Sequence, residues 1–460
     1  MTRWGAWLER QPHLQRELSD WRLWLTRALV IAFAALAGLS IVVFSWLGDW
    51  TLAWFARARL ACWWMPLVWT PLCTVAIVAA TRRFWPGAAG SGIPQVVAAL
   101  DPATPPEQRG LFVSLRLSVA KVVLTSWGLL AGLSIGREGP SVQVAAGVMH
   151  AARRWLPVRA GVSAQGLLVA GGAAGIAAAF NTPLGGVMFA IEELTRRPEQ
   201  RSSGLLIAGI VLAGLVAASL KGDEAYFGVI HVSELSLSLL LPGLLLAIGS
   251  GVLGGLFSRL LVASLVGQGS DAFSRWRRLR PLSFALACGL AVAVLGVVTE
   301  GATFGSGYGH TRGLLQGEHL GSWLYAPLKL FATWLTAWAG VPAGIFAPSL
   351  AIGAAWGADV AAWIGNTAAA PALIALGMAG FLAAATQAPL TAFIIVMEMV
   401  DGHGMVLSLM ACALIASGVA RLLSPPLYAT LARAQLTRLR RTRAQPGSFS
   451  FNASRSSAQL

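Results

Sequence analysis

Residues 136–147 read Gly-Arg-Glu-Gly-Pro-Ser-Val-Gln-Val-Ala-Ala-Gly, and this segment is the most informative one for the fold class. It lies within residues 122–148, where Arg137 and Glu138 are the only charged residues in 27 positions. Ionisable residues inside such apolar runs are rare and mark ion pathways or proton relays in membrane proteins. Glycine and proline in the run further indicate a helix that is interrupted at membrane depth. The stretch therefore predicts a functional break inside a membrane-embedded helix bundle.

Two other segments also pass from glycine to proline just before an apolar run. They are Gly90-Ser91-Gly92-Ile93-Pro94 and Gly344-Ile345-Phe346-Ala347-Pro348. Proline suits the first turn of a helix, because its missing N–H would be unpaired there anyway. The free N–H groups at a helix N-terminus, together with the helix dipole, bind anions. Three converging N-termini would hold an anion without a full positive charge, and so weakly enough for it to leave again.

The same motifs occur twice along the chain and in the same order. The matching pairs are 90–92 with 305–307, 136–141 with 344–349, and 177–184 with 383–390. Three matches in order indicate a duplication, and we expect two homologous halves that form an inverted repeat, as in many transporters. Glu192 and Glu398 occupy equivalent positions. For these glutamates and for Lys121 we predict buried structural charges or members of a charge network, and the sequence assigns them no further role.

The composition excludes most other classes of protein. Hydrophobic residues make up 56% of the 460 residues and charged residues only 12%, about half the ~25% of an average soluble domain. A soluble globule, a disordered chain, collagen and a coiled coil are therefore excluded, and a polytopic membrane protein remains. The net charge of +15 comes largely from arginines clustered between apolar runs, which is the positive-inside pattern rather than a nucleic-acid site. The four cysteines lie in apolar runs without metal-ligand spacing, so we expect no disulfide and no metal site.

We expect an all-α polytopic membrane protein in which discontinuous helices meet at a central anion site. The predicted segments are an interfacial helix over 1–24, a first transmembrane half over 25–220, a connecting loop over 221–236, a second transmembrane half over 237–430, and a short basic cytoplasmic tail over 431–460. The tail is too short for a C-terminal regulatory domain, so none is expected.

The three glycine-to-proline segments, in this order, resemble the signature sequences of the CLC family of chloride channels and chloride/proton antiporters. The resemblance covers residues 25–440 and fits the bacterial antiporter type. It implies chloride and protons as substrates, no cofactor, no enzymatic activity, and a homodimer with one pathway per subunit. It also implies a bacterial inner-membrane protein whose two termini are cytoplasmic. Fluoride-exporting relatives depart from these motifs, which favours chloride.

The resemblance assigns four residues to the chloride site. Ser91 matches the family serine whose hydroxyl donates to the central chloride, and nitrate-preferring members have proline there. Ile345 and Phe346 match residues whose backbone amides face the anion, and Tyr428 matches the tyrosine that closes the inner side. Ser91 as a helix N-cap and Tyr428 as a membrane-interface aromatic are the alternative interpretations.

Two glutamates carry the predicted proton chemistry. Glu138 matches the family's gating carboxylate, and a structural Arg137–Glu138 pair is the alternative, although adjacent residues on a helix do not face each other. Glu193 matches the glutamate that relays protons in the antiporters, and the family's channels generally lack it. An ordinary charged helix end is the alternative for Glu193. A passive voltage- or pH-gated chloride channel is therefore the second hypothesis for the protein.

Two unrelated classes fit less well. An aquaporin-like pore needs two Asn-Pro-Ala repeats, but residues 181–183 read Asn-Thr-Pro and residues 387–389 read Gln-Ala-Pro. An intramembrane serine protease needs serine and histidine on separate facing helices, whereas Ser306 and His310 lie only four positions apart.

Overall fold

The computed structural model describes residues 20–157, 162–195, 203–222, 226–228, 239–267, 269–318 and 322–444. These residues form an all-α bundle, and their only strand-like pairing is one isolated bridge between Gly136 and Gly344. Six of the described helices are long and apolar enough to cross a membrane. The predicted all-α polytopic fold is therefore confirmed.

The helices of the first half are interrupted where the sequence has glycine and proline. They are α1 (Trp21–Ala61), α2 (Met65–Phe84), α3 (Ile93–Leu100), α4 (Leu115–Leu130), α5 (Glu138–Ala151), α6 (Ala164–Phe180), α7 (Pro183–Phe189) and α8 (Ser203–Lys221). Residues 1–19 of the predicted interfacial helix lie outside the described residues, and residues 21–24 belong to α1. Most of the predicted connecting loop, namely residues 223–225 and 229–236, also lies outside them.

The second half repeats this pattern of long and broken helices. They are α9 (Leu240–Val266), α10 (Ala272–Leu279), α11 (Pro281–Val298), α12 (Tyr308–Leu315), α13 (Tyr325–Ala339), α14 (Phe346–Trp363), α15 (Ala370–Thr386), α16 (Pro389–Met399), α17 (Val406–Leu423) and α18 (Leu427–Ala444). Helix α18 extends into the predicted tail, whose residues 445–460 lie outside the described part.

The two halves break their central helices with the same turn. Helix α6 ends at Asn181, which has a φ of 57°, and α15 ends at Gln387, which has a φ of 61°. Both residues are therefore left-handed, a common way for a helix to end. A proline then opens the next helix two residues later, at Pro183 and at Pro389. The duplication seen in the sequence is thus reproduced in the backbone.

Small residues let the central helices pack backbone to backbone. Helices α6 and α15 are buried along almost their whole length and consist largely of alanine and glycine. A side chain on Gly353 of α14 would collide with the backbone of Gly377 of α15, so glycine is required at this crossing. The outer helices instead expose large apolar side chains, such as Trp46, Trp50 and Trp54 of α1. Lipid would cover that surface in a membrane.

Candidate functional site

Backbone hydrogen bonds join the three glycine-to-proline segments at the centre of the bundle. The Gly136 N–H donates to the Gly344 carbonyl (2.8 Å), and the Gly344 N–H donates to the Gly136 carbonyl (3.1 Å). The Gly90 N–H donates to the Val341 carbonyl (3.2 Å), and the Ala343 N–H donates to the Gly90 carbonyl (3.1 Å). The segments that the sequence predicts to converge therefore meet, and each of these bonds links one half of the chain to the other.

Glycine is needed where the first two segments touch. Gly92 has a φ of 108°, and a Cβ atom there would lie 2.6 Å from the Gly139 carbonyl oxygen. A Cβ on Gly139 would collide with the Ser91 hydroxyl. L-residues with side chains seldom adopt such a φ, and neither position has room for one. The glycines thus place Ser91 directly against the start of α5.

The hydroxyls of Ser91 and Tyr428 are buried neighbours that lack hydrogen-bond partners among the described residues. They are close together, but their geometry does not give a hydrogen bond between them. The Tyr428 ring is 1% exposed and stacks on Phe346, with ring centroids 6.1 Å apart. Buried polar groups in proteins nearly always have a partner. Two adjacent unpaired O–H groups therefore suit a ligand that accepts hydrogen bonds.

The N-terminus of α14 provides further donors at the same place. Ile345 precedes the helix and Phe346 is its first residue, and the first N–H groups of a helix have no partner within it. The next N–H group, that of Ala347, donates to Glu138 Oε2 (3.4 Å). This N-terminus thus already binds a carboxylate.

Glu138 reaches this position from the first turn of α5. Its side chain is 2% exposed, and its carboxylate lies between the Gly136 backbone and the start of α14. Arg137 extends in another direction, where its Nη1 lies 2.8 Å from Asp49 Oδ1 and donates to the Ser45 carbonyl. The partner of Arg137 is therefore an aspartate on α1, which weakens the alternative in which Arg137 and Glu138 form a structural pair.

Glu193 lies on a single π-helical turn, Ala190–Leu194, that follows α7. It is half-buried and lines a polar cavity of about 700 Å³. Other residues of this cavity are Gln387, Arg421 and the Pro425-Pro426 pair that precedes Tyr428. Glu193 also lines a second, mostly apolar cavity on its other side. The Glu193 carboxylate therefore lies near Tyr428, on the side of this cavity.

Glu192 and Glu398 hold the two halves together by capping each other's helices. The Glu192 carboxylate accepts from the N–H groups of Leu390 (3.1 Å) and Thr391 (2.7 Å) at the start of α16. The Glu398 carboxylate accepts from those of Leu184 (3.1 Å) and Gly185 (2.7 Å) at the start of α7. The sequence placed both glutamates at equivalent positions, but it did not indicate which groups they bind.

Two buried lysines have matching roles in the two halves. Lys121 Nζ donates to the Ala88 (2.8 Å) and Gly90 carbonyls, and so fixes the segment that contains Ser91. Lys329 Nζ donates to the Thr303 (2.9 Å) and Gly305 (2.8 Å) carbonyls. Lys329 was not predicted from the sequence, although the repeated Gly-Ser-Gly motif and the presence of only three lysines point to it.

Comparisons with known proteins agree with this geometry. The model of a family described as voltage gated chloride channel matches residues 73–421. An H(+)/Cl(-) exchange transporter of Cronobacter sakazakii is 30% identical over 418 residues, which cover 86% of each chain. A transporter of the same name from Vibrio cholerae is 32% identical over 374 residues, which cover 76% of this chain and 75% of the other.

Solved structures share the fold. A slow cyanobacterial Cl−/H+ antiporter matches with a TM-score of 0.75 and 24% identity, covering 90% of this chain and 99% of its own. A CLC-type fluoride/proton antiporter matches with a TM-score of 0.71 and 23% identity, at the same coverage. At such identities the likeness establishes the common architecture alone, so ion selectivity has to be argued from the site.

Proposed function

The chain belongs to the family of voltage gated chloride channels, and we propose that within it the protein is a secondary antiporter that exchanges chloride for protons. The proposal rests on one observation. The unpaired hydroxyls of Ser91 and Tyr428 and the carboxylate of Glu138 converge on the N-terminus of α14. Because uncharged hydrogen-bond donors and a titratable carboxyl group share one place, binding of an anion there is coupled to protonation of the carboxyl group.

Chloride would be held by hydrogen-bond donors that carry no formal charge. The donors are the hydroxyls of Ser91 and Tyr428 and the backbone amides of Ile345 and Phe346. A helix N-terminus supplies roughly half an elementary positive charge, which replaces part of the ion's hydration. Binding by such groups is strong enough for entry and weak enough for release, as transport requires.

Glu138 would act as both gate and proton carrier. Its carboxylate binds the N-terminus of α14 as an anion does, so it competes with chloride for the same donors. Protonation removes that attraction, and the side chain then yields its place to chloride. Each proton taken up by Glu138 is thereby linked to the movement of chloride.

Glu193 would pass protons between Glu138 and the cytoplasm. It lies in the wall of the polar cavity, which we propose opens to the cytoplasm. Because this titratable group lies beside the anion route rather than on it, protons and chloride can follow different routes on the cytoplasmic side. A passive voltage- or pH-gated channel has no need for such a group, so Glu193 favours exchange over this second hypothesis.

We further propose a homodimer in a bacterial inner membrane, with both termini cytoplasmic and one pathway per subunit. The exposed apolar side chains of the outer helices suit lipid and a second copy. Chloride is a substrate here and needs no resident cofactor. The donors of the site do not resemble those of an enzyme or of a nucleic-acid surface.

Reconstitution in liposomes tests the proposal. A chloride gradient should drive protons uphill in the wild type, as recorded with paired chloride and pH electrodes. Glu138→Gln should give chloride flux that is independent of pH and no proton flux. Glu193→Gln should also stop protons, but its chloride flux should keep the pH dependence set by Glu138.

Glu300→Gln is the matched control, because Glu300 is an exposed glutamate at the end of α11, away from the site. It should leave both fluxes at wild-type values. Uphill proton transport by Glu193→Gln would show that the proton route is wrong. Chloride flux without proton movement in the wild type would replace the antiporter by the channel.

A further inference from the structure

The residue before the gating carboxylate is part of an ion pair that anchors it to α1. The Arg137 side chain is 13% exposed, and its guanidinium lies 2.8 Å from the Asp49 carboxylate, which is 66% exposed. The Ser45 carbonyl accepts a second hydrogen bond from the same guanidinium. A Cβ atom on Gly48 would lie 2.8 Å from Arg137 Cδ, so the arginine lies flat against α1. The geometry therefore fixes one positive and one negative charge beside Glu138.

Among the residues that the structure describes, few other ionisable groups lie near Glu138. Tyr226 lies beside Arg137 and Glu138, and Tyr428 approaches Glu138 from α18. Lys121 faces α5 from α4, but two carbonyl oxygens hold its ammonium group. Helices α3 and α6, which also pack on α5, have no charged residue, and Asp359 of α14 lies more than three turns from its N-terminus. Within the described part of the chain, Asp49 and Arg137 thus form the charged pair next to Glu138 that substitutions can change.

We propose that Asp49 and Arg137 act as positioning residues that set the pH at which Glu138 exchanges places with chloride. The inference rests on the gating role proposed for Glu138. As a pair, the two side chains are close to neutral, so neither form of Glu138 is strongly favoured. Asp49 keeps the charge of Arg137 from holding Glu138 permanently in its carboxylate form.

The direction in which each substitution shifts the protonation of Glu138 follows from the charge that remains in the pair. Asp49→Asn leaves the Arg137 charge uncompensated, which favours the Glu138 carboxylate, so more acid is needed to protonate it. Arg137→Gln leaves the Asp49 charge alone, which favours the protonated form. A unit charge about 10 Å away, at an effective dielectric constant of 20–40, corresponds to a shift of roughly 0.5–1 pH unit.

The test measures chloride flux in liposomes with equal pH on both sides, between about pH 4 and pH 8. The midpoint of the pH profile should move to lower pH in Asp49→Asn and to higher pH in Arg137→Gln. The Asp49→Asn/Arg137→Gln double variant should return close to the wild-type midpoint. Asp49→Glu, which keeps the charge, should also behave like the wild type. The shifts should shrink at high ionic strength, because salt screens the exposed side of the pair.

Asp20→Asn is the matched control. Asp20 caps the start of the same helix and lies 29 residues from Asp49, or roughly 43 Å along α1, and asparagine is an equally good cap. It should not move the midpoint. If Arg137→Gln does not fold, the role of the pair in setting the midpoint is still tested by Asp49→Asn, Asp49→Glu and the double variant.

The two proposals can fail separately. If Glu138→Gln flattens the profile but Asp49→Asn keeps the wild-type midpoint, the charge-setting role of the pair is wrong and the gating role stands. If Glu138→Gln keeps the wild-type profile, the gating role itself is wrong. A shift in Asp49→Asn that persists in the Glu138→Gln background would show that the pair acts on another group.

Discussion

Ser91 and its repeat counterpart Ser306 differ in the use of one hydroxyl group. The Ser306 hydroxyl accepts from the Tyr308 N–H (3.3 Å) and so caps its own helix. The Ser91 hydroxyl has no partner among the described residues, and the neighbouring Gly92 N–H donates to Gln95 Oε1 (3.0 Å). Ser91 is therefore free to serve a ligand, whereas Ser306 is not.

Ser91→Pro should shift the preference of the protein from chloride towards nitrate. Loss of a hydrogen bond to a charged group costs about 1.5–3 kcal/mol, or roughly 10- to 150-fold in affinity, and the small chloride ion depends most on that donor. Flux ratios of the two anions in liposomes measure the effect. Ser306→Ala is the control and should keep the wild-type ratio. An unchanged ratio in Ser91→Pro would remove Ser91 from the anion site.

Tyr428→Ala should weaken chloride binding and loosen the coupling to protons without stopping chloride flux. The substitution removes both the hydroxyl donor and the ring that stacks on Phe346. Anions can then pass the site without a coupled proton transfer. Tyr428→Phe keeps the ring, so it should lose affinity but retain more of the coupling. Calorimetric binding and the proton-to-chloride flux ratio check this, and wild-type values in both variants would contradict it.

At the scale of elements, the π-turn Ala190–Leu194 separates the functions of two adjacent glutamates. Both glutamates line the polar cavity, but the Glu192 carboxylate caps the N-terminus of α16, whereas Glu193 also lines the apolar cavity on its other side. The equivalent segment of the second half stays α-helical through Met399, which occupies the position of Glu193 and is fully buried. Single π-turns often occur at functional sites. The proton-transfer role proposed for Glu193 thus belongs to the half that has both the extra glutamate and the wider turn.

Glu192→Gln and Glu398→Gln should destabilise the protein to a similar extent. Each removes a negative charge from two N–H groups at a helix N-terminus, an interaction worth about 1–2 kcal/mol in a partly buried setting. Thermal unfolding in detergent should therefore show comparable decreases in the two midpoints. Glu300→Gln should leave the midpoint unchanged. A loss confined to one of the two cap variants would show that the caps are not equivalent.

The sequence predicted some of these elements and not others, for physical reasons. Glycine and proline act locally, so the breaks at Asn181 and Gln387 and the three converging segments could be predicted. The π-turn could not, because similar sequences around Glu192 and Glu398 form different helices. Partners distant in the chain, such as Asp49 for Arg137, depend on how the helices pack and leave no local signal.

At the scale of the whole molecule, the two matching lysines fix equivalent segments of the two halves, and only the segment fixed by Lys121 contains a residue of the proposed chloride site, Ser91. Lys121→Met and Lys329→Met should each destabilise the protein by about 1–3 kcal/mol, because each removes two hydrogen bonds from a buried ammonium group to backbone carbonyl oxygens. Only Lys121→Met should also weaken chloride binding, since it releases Gly90 next to Ser91. Calorimetry and thermal unfolding separate the two effects. Equal losses of chloride affinity in Lys121→Met and Lys329→Met would contradict this difference between the two lysines.

The hydrogen-bonded bridge between Gly136 and Gly344 has a consequence for biogenesis. When the ribosome has inserted only the first half, the Gly136 and Gly90 N–H groups and the Glu192 carboxylate have yet to meet their partners. The pathway can then be completed only after Gly344 and α16 have entered the bilayer. Halves separated after Gly228 and co-expressed should transport chloride only when both are present.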